Sequence, residues 1–283
     1  MSSTRDESHA TAEPAPELRP FIARYGGSRR AGFAPREHPA TPSRFATLIV
    51  SVGAPVDVTA MPDASLQGPG RFQSFVAGLH AAPAWVRDTG EVDVVHAFLT
   101  PLGVRSLFGV SAAALASRVV DLGDLIGGRA AELLERLAGA RSWPERFRLL
   151  DDVLARKLES APVAPELAHA WRRLIGARGT LPIGALAREI GWSRRHFGER
   201  FRAELGLSPK SAARVIRFDH ACSVLGRGDL AIGAVAASCG YADQSHLTRE
   251  WVELSGCTPR AWLAEELPFL QDYELCELAP SES

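Results

Sequence analysis

One pattern is written twice between Ile183 and Pro259, and a chain that repeats itself in this way has little freedom in what it folds into. The first copy runs from Ile183 to Pro209 and the second from Ile232 to Pro259. Leu186, Ala187, Ile190, Gly191 and Trp192 answer to Val235, Ala236, Cys239, Gly240 and Tyr241 at one offset. Phe197, Phe201, Gly206 and Pro209 answer to Leu247, Trp251, Gly256 and Pro259 at an offset one residue longer, so the second copy has gained a residue in its turn. The spacing of Leu186, Ala187 and Ile190 gives a first helix one buried face, and glycine ends it where a left-handed backbone carries no side-chain penalty. A second helix starts at a capping Ser193 or Asp243 and buries Phe197 and Phe201, or Leu247 and Trp251. Ser208-Pro209 and Thr258-Pro259 each supply an N-cap and a first-turn proline for a further helix. Each copy therefore predicts helix, tight turn, helix, a unit whose second helix is the usual reader of a DNA major groove.

Between the copies, Pro209 to Gly226 reads as one long helix bearing Ala213, Ile216, Ala221 and Leu225 and stopped by Gly226 and Gly228. At 1.5 Å per residue it is about 26 Å long. That is stiff enough to hold two reading heads near the roughly 34 Å repeat of a DNA turn, so that both enter successive major grooves on one face.

On these residues the chain resembles the AraC/XylS family of bacterial transcription regulators. The likeness is carried by Gly240-Tyr241-Ala242-Asp243-Gln244-Ser245-His246-Leu247-Thr248-Arg249, by Gly256 and by Thr258-Pro259-Arg260-Ala261-Trp262. In the first copy it is carried by Gly191-Trp192-Ser193-Arg194-Arg195, Phe197, Phe201 and Gly206-Leu207-Ser208-Pro209. It covers about a third of the chain. It implies an all-α C-terminal domain of two helix-turn-helix units joined by a long helix, with double-stranded DNA as the partner. It admits RNA polymerase as a second partner.

Burying Phe197 and Phe201 leaves Arg194, Arg195, Gly198, Glu199 and Arg202 facing out of the first recognition helix. By resemblance the base-reading positions there are Arg195, Gly198 and Glu199. Arg195 suits guanine O6 and N7, and Glu199 can accept from cytosine N4. Gly198 departs from the long polar residues the family carries at its position. Glu199 has an equal alternative as a solvated charge or a partner for Arg195 or Arg202. In the second recognition helix, burying Leu247 and Trp251 leaves Gln244, Ser245, Thr248 and Arg249 outward. The resemblance assigns reading to Gln244, Ser245, His246 and Thr248, with Arg249 near bases or phosphate. Gln244 suits adenine N6 and N7. His246 is expected to brace the helix or meet phosphate rather than read a base. Helix N-termini backed by Arg194, Lys210 or Arg214 would hold phosphates and set register.

Charge agrees with this placement once it is divided. The whole chain of 283 residues has a net charge of -1, yet Glu166 to Ala264 holds 14 Lys plus Arg against 9 Asp plus Glu. The excess of base lies in the reading half. No apolar stretch approaches the roughly 20 residues of a membrane helix and the polar start has no signal-peptide core, so the cytoplasm is expected and a membrane is not. Cys222, Cys239, Cys257 and Cys276 have no Cys-x-x-Cys spacing and read as small apolar residues. The first 221 residues contain no cysteine, which excludes the DNA-repair proteins that pair this module with an N-terminal cysteine cluster.

Residues 1–20 are rich in Ser, Thr, Glu and Pro and are expected to form a disordered tail. From 21 to 159 the expectation is a small β-barrel with flanking helices, similar to a cupin-type sensor domain. Its strands fall at Ala46 to Val52, Val56 to Val58, Arg71 to Leu79, Trp85 to Arg87 and Val92 to Leu99. Alternation over the last puts Val92, Val94, His96 and Phe98 on one inward face. Without the His-x-His and following glutamate of metal-binding cupins, His96 reads as a hydrogen-bonded core residue, and neither metal nor cofactor is expected. Helices are expected at Leu102 to Phe108, Arg129 to Ala138 and Pro144 to Leu158, the last opened by a capping box of Ser142 and Glu145. Two assignments stay open for them: the homodimer contact that relatives imply, or a core face against the barrel. Residues 160–166 read as a proline-bearing linker, 167–267 as the DNA-binding domain and 268–283 as a tail. The fold class is thus α+β. The leading function is a sequence-specific transcription regulator responsive to a small molecule through its N-terminal domain. The alternatives are an enzyme or metal-binding cupin-like domain fused to a DNA-binding module, and an interaction module that has lost DNA. Against an enzyme, the chain has no Gly-x-Ser-x-Gly, no phosphate-binding Gly-rich Lys loop and no His-Glu-x-x-His.

Overall fold

A computed structural model describes residues 6–158 and 163–270. Its N-terminal half is two antiparallel sheets followed by helices. The strands are β1 (Asp6–Ala12), β2 (Ile22–Ala31), β3 (Arg36–Ala40), β4 (Ala46–Ser51), β5 (Val56–Ala60), β6 (Gly70–Phe72), β7 (Ser74–Ala77), β8 (Ala84–Asp88), β9 (Val92–Leu99) and β10 (Val119–Asp121). One sheet has the order β1-β2-β9-β4-β7-β10 and the other β3-β8-β5-β6. The helices of this half are α1 (Pro101–Phe108), α2 (Ala112–Leu115), α3 (Leu122–Ile126), α4 (Arg129–Gly139) and α5 (Trp143–Ala155).

Strand alternation decides where the core lies. Ala46, Leu48 and Val50 of β4 and Val95, Ala97 and Leu99 of β9 share a buried core with Leu107, Leu133, Leu137, Phe147, Leu150 and Leu154 of the helices. Those helices therefore present a core face; Glu132 and Glu135 of α4 lie outward and exposed. A smaller cluster of Val58, Met61, Phe75 and Val119, with Ile49 against it, fills the opposite side of the larger sheet. His96 pairs across the ladder with Ile49, so it belongs to that second side and not to the helix-covered core. The alternation is in phase with the expected one, but the main core takes the other set of β9 residues.

Other expectations do not hold. Part of the tail expected to be disordered is strand β1, paired with β2 from Asp6↔Ala31 to Ala12↔Tyr25. Leu18, in the turn of 3-10 helix between these strands, is fully buried. Strand β2 carries Gly26-Gly27, a turn signal in sequence, but a Cβ at Gly27 would lie 2.3 Å from Cζ3 of Trp143. The glycine is there so that an indole can lie on the strand. The same indole donates from Nε1 to Ser8 Oγ of β1 at 3.0 Å. Arg146, one turn on, is buried and donates to both carboxylate oxygens of Asp93 on β9, at 2.5 and 3.1 Å. The α5 cap is present: Ser142 Oγ accepts from Glu145 N at 3.4 Å, and Glu145 Oε2 accepts from Arg141 N at 2.9 Å.

The C-terminal half is helical: α6 (Pro165–Gly176), α7 (Ile183–Glu189), α8 (Arg194–Leu205), α9 (Pro209–Gly226), α10 (Ile232–Ser238), α11 (Gln244–Ser255) and α12 (Pro259–Leu270). By contacts the chain divides into two units, one of residues up to Ala40, Phe45–Leu79 and Ala84–Val163, the other of Thr41–Arg44, His80–Pro83 and Ala164 onward. Helix α6 begins at Pro165, inside the stretch 160–166 read as linker, whose residues 160–162 lie outside the described ones. Helix α12 runs to Leu270, past the start of the expected tail at 268, and residues 271–283, Cys276 among them, are outside the described residues. No described helix is long and apolar enough to cross a membrane.

Candidate nucleic-acid interface

Both copies of the repeat fold alike, and their local chemistry shows why. Gly191 ends the first helix of one unit at φ 75° and Gly240 that of the other at φ 74°. Ser193 Oγ then caps α8 by accepting from His196 N at 3.2 Å, and Asp243 Oδ1 caps α11 by accepting from His246 N at 2.7 Å. The cap lies two residues after the glycine in the first unit and three after it in the second, which locates the inserted residue. Gly206 and Gly256, at φ 82° and 76°, close the two recognition helices. Ser208 caps α9 through Ser211 N at 3.0 Å, and Thr258 caps α12 through Ala261 N at 3.2 Å.

Buried aromatics orient the two helices. Phe197 and Phe201 are fully buried, the latter 6.3 Å from the ring of Trp171 on α6. Trp251 packs edge-on against Phe218 of α9 at 4.9 Å and Trp262 of α12 at 5.3 Å. Fixing these rings inward turns the other faces out. On α8, Arg194, Arg195, Glu199 and Arg202 are exposed, and Gly198 lies among them, half-buried. Arg195 is 89% exposed and donates from Nε to Glu199 Oε1 at 2.9 Å, so the free protein holds the two candidate readers as an i,i+4 pair. On α11, Gln244, Ser245 and Arg249 are exposed and Thr248 and His246 half-buried.

His246 makes contacts suited to bracing. Its Nδ1 accepts from Ala242 N at 3.2 Å, and its ring stands edge-on to Tyr241 at 5.3 Å. Trp192 and His196 make the matching ring contact in the first unit, at 4.8 Å, a symmetry that the aligned repeats contain but that does not stand out in sequence.

Sequence reasoning also missed a charged cluster between α9 and α11. Glu250 is buried and accepts from Arg217 Nη2 at 2.8 and 2.9 Å, through both of its oxygens, and from Arg214 Nε at 3.0 Å. Arg214 reaches on to Glu253 with Nη2. The carboxylates hold the Arg214 guanidinium above its ordinary pKa against the lowering effect of burial. Arg217 also lies over the Tyr241 ring, 4.9 Å from its centroid. A usable signal existed, since Leu247, Glu250, Trp251 and Leu254 share the i, i+3, i+4, i+7 stripe that a helix buries. An acid on such a stripe must be paired. This cluster forms one wall of a crevice of about 760 Å³ to which both recognition helices and the first turn of α9 contribute, with Arg194, Gly198, Lys210, His246 and Arg249 also on its walls. Arg214, expected at phosphate, is thus engaged within the protein. Arg194, Lys210 and Arg249 make no ion pair among the described residues.

Cys222 and Cys239 are buried, with burial raising both thiols, and Cys257 is half-buried. Among the described residues no three His, Cys, Asp or Glu side chains gather as metal ligands. His96 is pushed down to about 4 by burial and by nearby Arg24.

Comparison with known proteins places this geometry. Residues 186–265 match a helix-turn-helix domain family. The virulence regulon transcriptional activator VirF of Yersinia enterocolitica is 31% identical over 77 residues, 27% of this chain and 28% of that protein. The RCS-specific HTH-type transcriptional activator RclR of Escherichia coli is 30% identical over 91 residues, 32% of this chain and 28% of its own. The MmsAB operon regulatory protein of Pseudomonas aeruginosa is 27% identical over 110 residues, 38% and 35% of the two chains. The chain thus spans about a third or less of the length of these curated relatives. An apo variant of ToxT from Vibrio cholerae aligns over 91% of this chain and 97% of its own with a TM-score of 0.52 at 9% identity, a likeness of fold.

Proposed function

Because its C-terminal domain is a helix-turn-helix domain of the AraC/XylS type, we propose that this chain is a sequence-specific DNA-binding transcription regulator acting in the cytoplasm. One observation carries the proposal: two capped recognition helices, each anchored by buried aromatics, present Arg195 and Gln244 with its neighbours Ser245, Thr248 and Arg249 to solvent. A module that had lost DNA has no use for exposed side chains able to pair bidentately with base edges.

Roles follow from chemistry and position. Arg195 reads guanine and Glu199 an adjacent cytosine, their mutual ion pair being an exposed one that costs little to open. Gly198 makes no side-chain contact and lets α8 approach closely. Gln244 reads adenine, Ser245 and Thr248 read beside it, and Arg249 meets base or phosphate. His246 braces the turn. Arg194, Arg202 and Lys210 hold phosphates, Lys210 from the first turn of α9 where the helix dipole favours an anion. The β-rich unit senses a small molecule or carries dimerisation, a division of labour supported by the two-sheet fold that ToxT shares.

Selection of bound sequences from a random double-stranded pool by the intact chain tests the proposal. A defined two-part site is the expected result. No enrichment at low salt would favour the interaction module instead.

A further inference from the structure

The crevice between the recognition helices holds five basic side chains, Arg194, Lys210, Arg214, Arg217 and Arg249, against two acids, Glu250 and Glu253. These acids are not equivalent. Glu250 is 7% exposed and is satisfied by Arg217 alone, which contacts both of its oxygens. Arg214 is therefore a surplus cation at Glu250. Its outer nitrogen Nη2 is instead occupied by Glu253, whose side chain is 65% exposed. That pair is at the solvent edge of the crevice, where an ion pair contributes little to stability.

A DNA phosphate arriving in this crevice brings a full charge backed by the rest of the polyanion. It also has an oxygen geometry that a guanidinium fork matches as well as it matches a carboxylate. Lys210, one turn before Arg214 on α9, already favours an anion at this end of the crevice. We propose that Glu253 is an exchangeable carboxylate: it occupies Arg214 in the free protein, and a backbone phosphate of bound DNA takes its place while Glu250 stays on Arg217. The inference rests on the DNA-binding reading and adds to it a phosphate seat on Arg214, a residue the free structure shows engaged. Exchange is without net gain of an ion pair at Arg214, so Glu253 holds down sequence-independent affinity. It leaves the choice among sequences to Arg195 and Gln244.

The test is a double-mutant cycle on the intact chain, with fluorescence anisotropy of specific and of scrambled duplexes at several salt concentrations. Glu253→Gln is expected to raise affinity for both duplexes by the same factor and to steepen the plot of log affinity against log salt by about 0.9, one further phosphate neutralised. In an Arg214→Gln background the same change is expected to leave the slope where it was. Arg214→Met, which keeps the alkyl stem, serves if Arg214→Gln does not fold. An equal effect of Glu253→Gln in both backgrounds would mean that the acid acts through space and not on Arg214, and overturns the exchange. So does an unchanged slope in the wild-type background. A wild-type chain with no affinity for either duplex at low salt overturns the exchange together with the reading it rests on.

Discussion

At the scale of single residues, the two helices divide their side chains by what each can do once the aromatics are fixed. Arg195 stands 89% exposed on α8 with only Glu199 for company, and Gln244 opens α11 just after its cap. Arg195→Ala is expected to relax base preference at one half-element and Gln244→Ala at the other, each by about 1 to 3 kcal/mol of discrimination. Thermal unfolding should be nearly unchanged, since both are surface positions; binding-site selection with each variant reads this out. In the β-rich unit, His96 gives a pH dependence of known sign. Burial first, then Arg24, pushes it down to about 4, whereas in the unfolded chain it titrates near 6.5. As pH falls the unfolded chain takes up the proton first, so stability is full above about 6.5 and is lost progressively toward 4. His96→Gln should flatten the fall in Tm over that window without abolishing it, because burial also lowers His38 and His80. An unaltered slope would mean His96 is solvated in the folded state.

The elements differ in how openly the sequence announces them. Helices α7 to α11 are legible because every signal agrees: apolar spacing, Ser193, Asp243 and Ser208 as caps, glycines at the required backbone angles. Strands β4, β5, β8 and β9 are legible from alternation bounded by turns. Strands β1, β2 and β3 are not, because local chemistry points elsewhere. β1 is polar because it is an edge, β3 carries Pro39 because it too is an edge, and β2 holds a Gly-Gly that serves the distant Trp143. Glu250 is easily passed over because a charge at a recognition helix suggests DNA, and its partners lie more than thirty residues away. The paired glycines allow a test at this scale. A side chain at either left-handed position costs roughly 1 to 2 kcal/mol. At Gly191 nothing lies within 4 Å of the added Cβ, whereas at Gly240 it would sit 2.7 Å from Thr180 Cγ2. Thr180 cannot easily turn away, since its hydroxyl donates to Ala177 O at 2.7 Å. Gly240→Ala should therefore destabilise more than Gly191→Ala in chemical denaturation, and Thr180→Ala should bring the two costs together. Equal costs in the wild-type background would put the clash in doubt.

Across the whole molecule, the repeat and the 18-residue helix α9 between its copies give one chain two reading heads, with Glu250 on Arg214 and Arg217 tying the second head to that helix. At 1.5 Å per residue α9 spans about 27 Å, which suits half-elements centred about 10 base pairs apart on one face of the duplex. The geometry of the reading domain can be argued from sequence because it is local and repeated. The β-rich unit can be argued only as far as its class, because its order depends on pairings such as β2 with β9 that join residues some seventy positions apart. The claim that two heads read one face is tested by measuring affinity for the selected site before and after five base pairs are inserted between its half-elements. The insertion turns one major groove to the far side of the duplex, and most of the specific affinity should be lost, leaving the salt-dependent affinity for any sequence. Specific affinity that survives the insertion would contradict the two-headed reading.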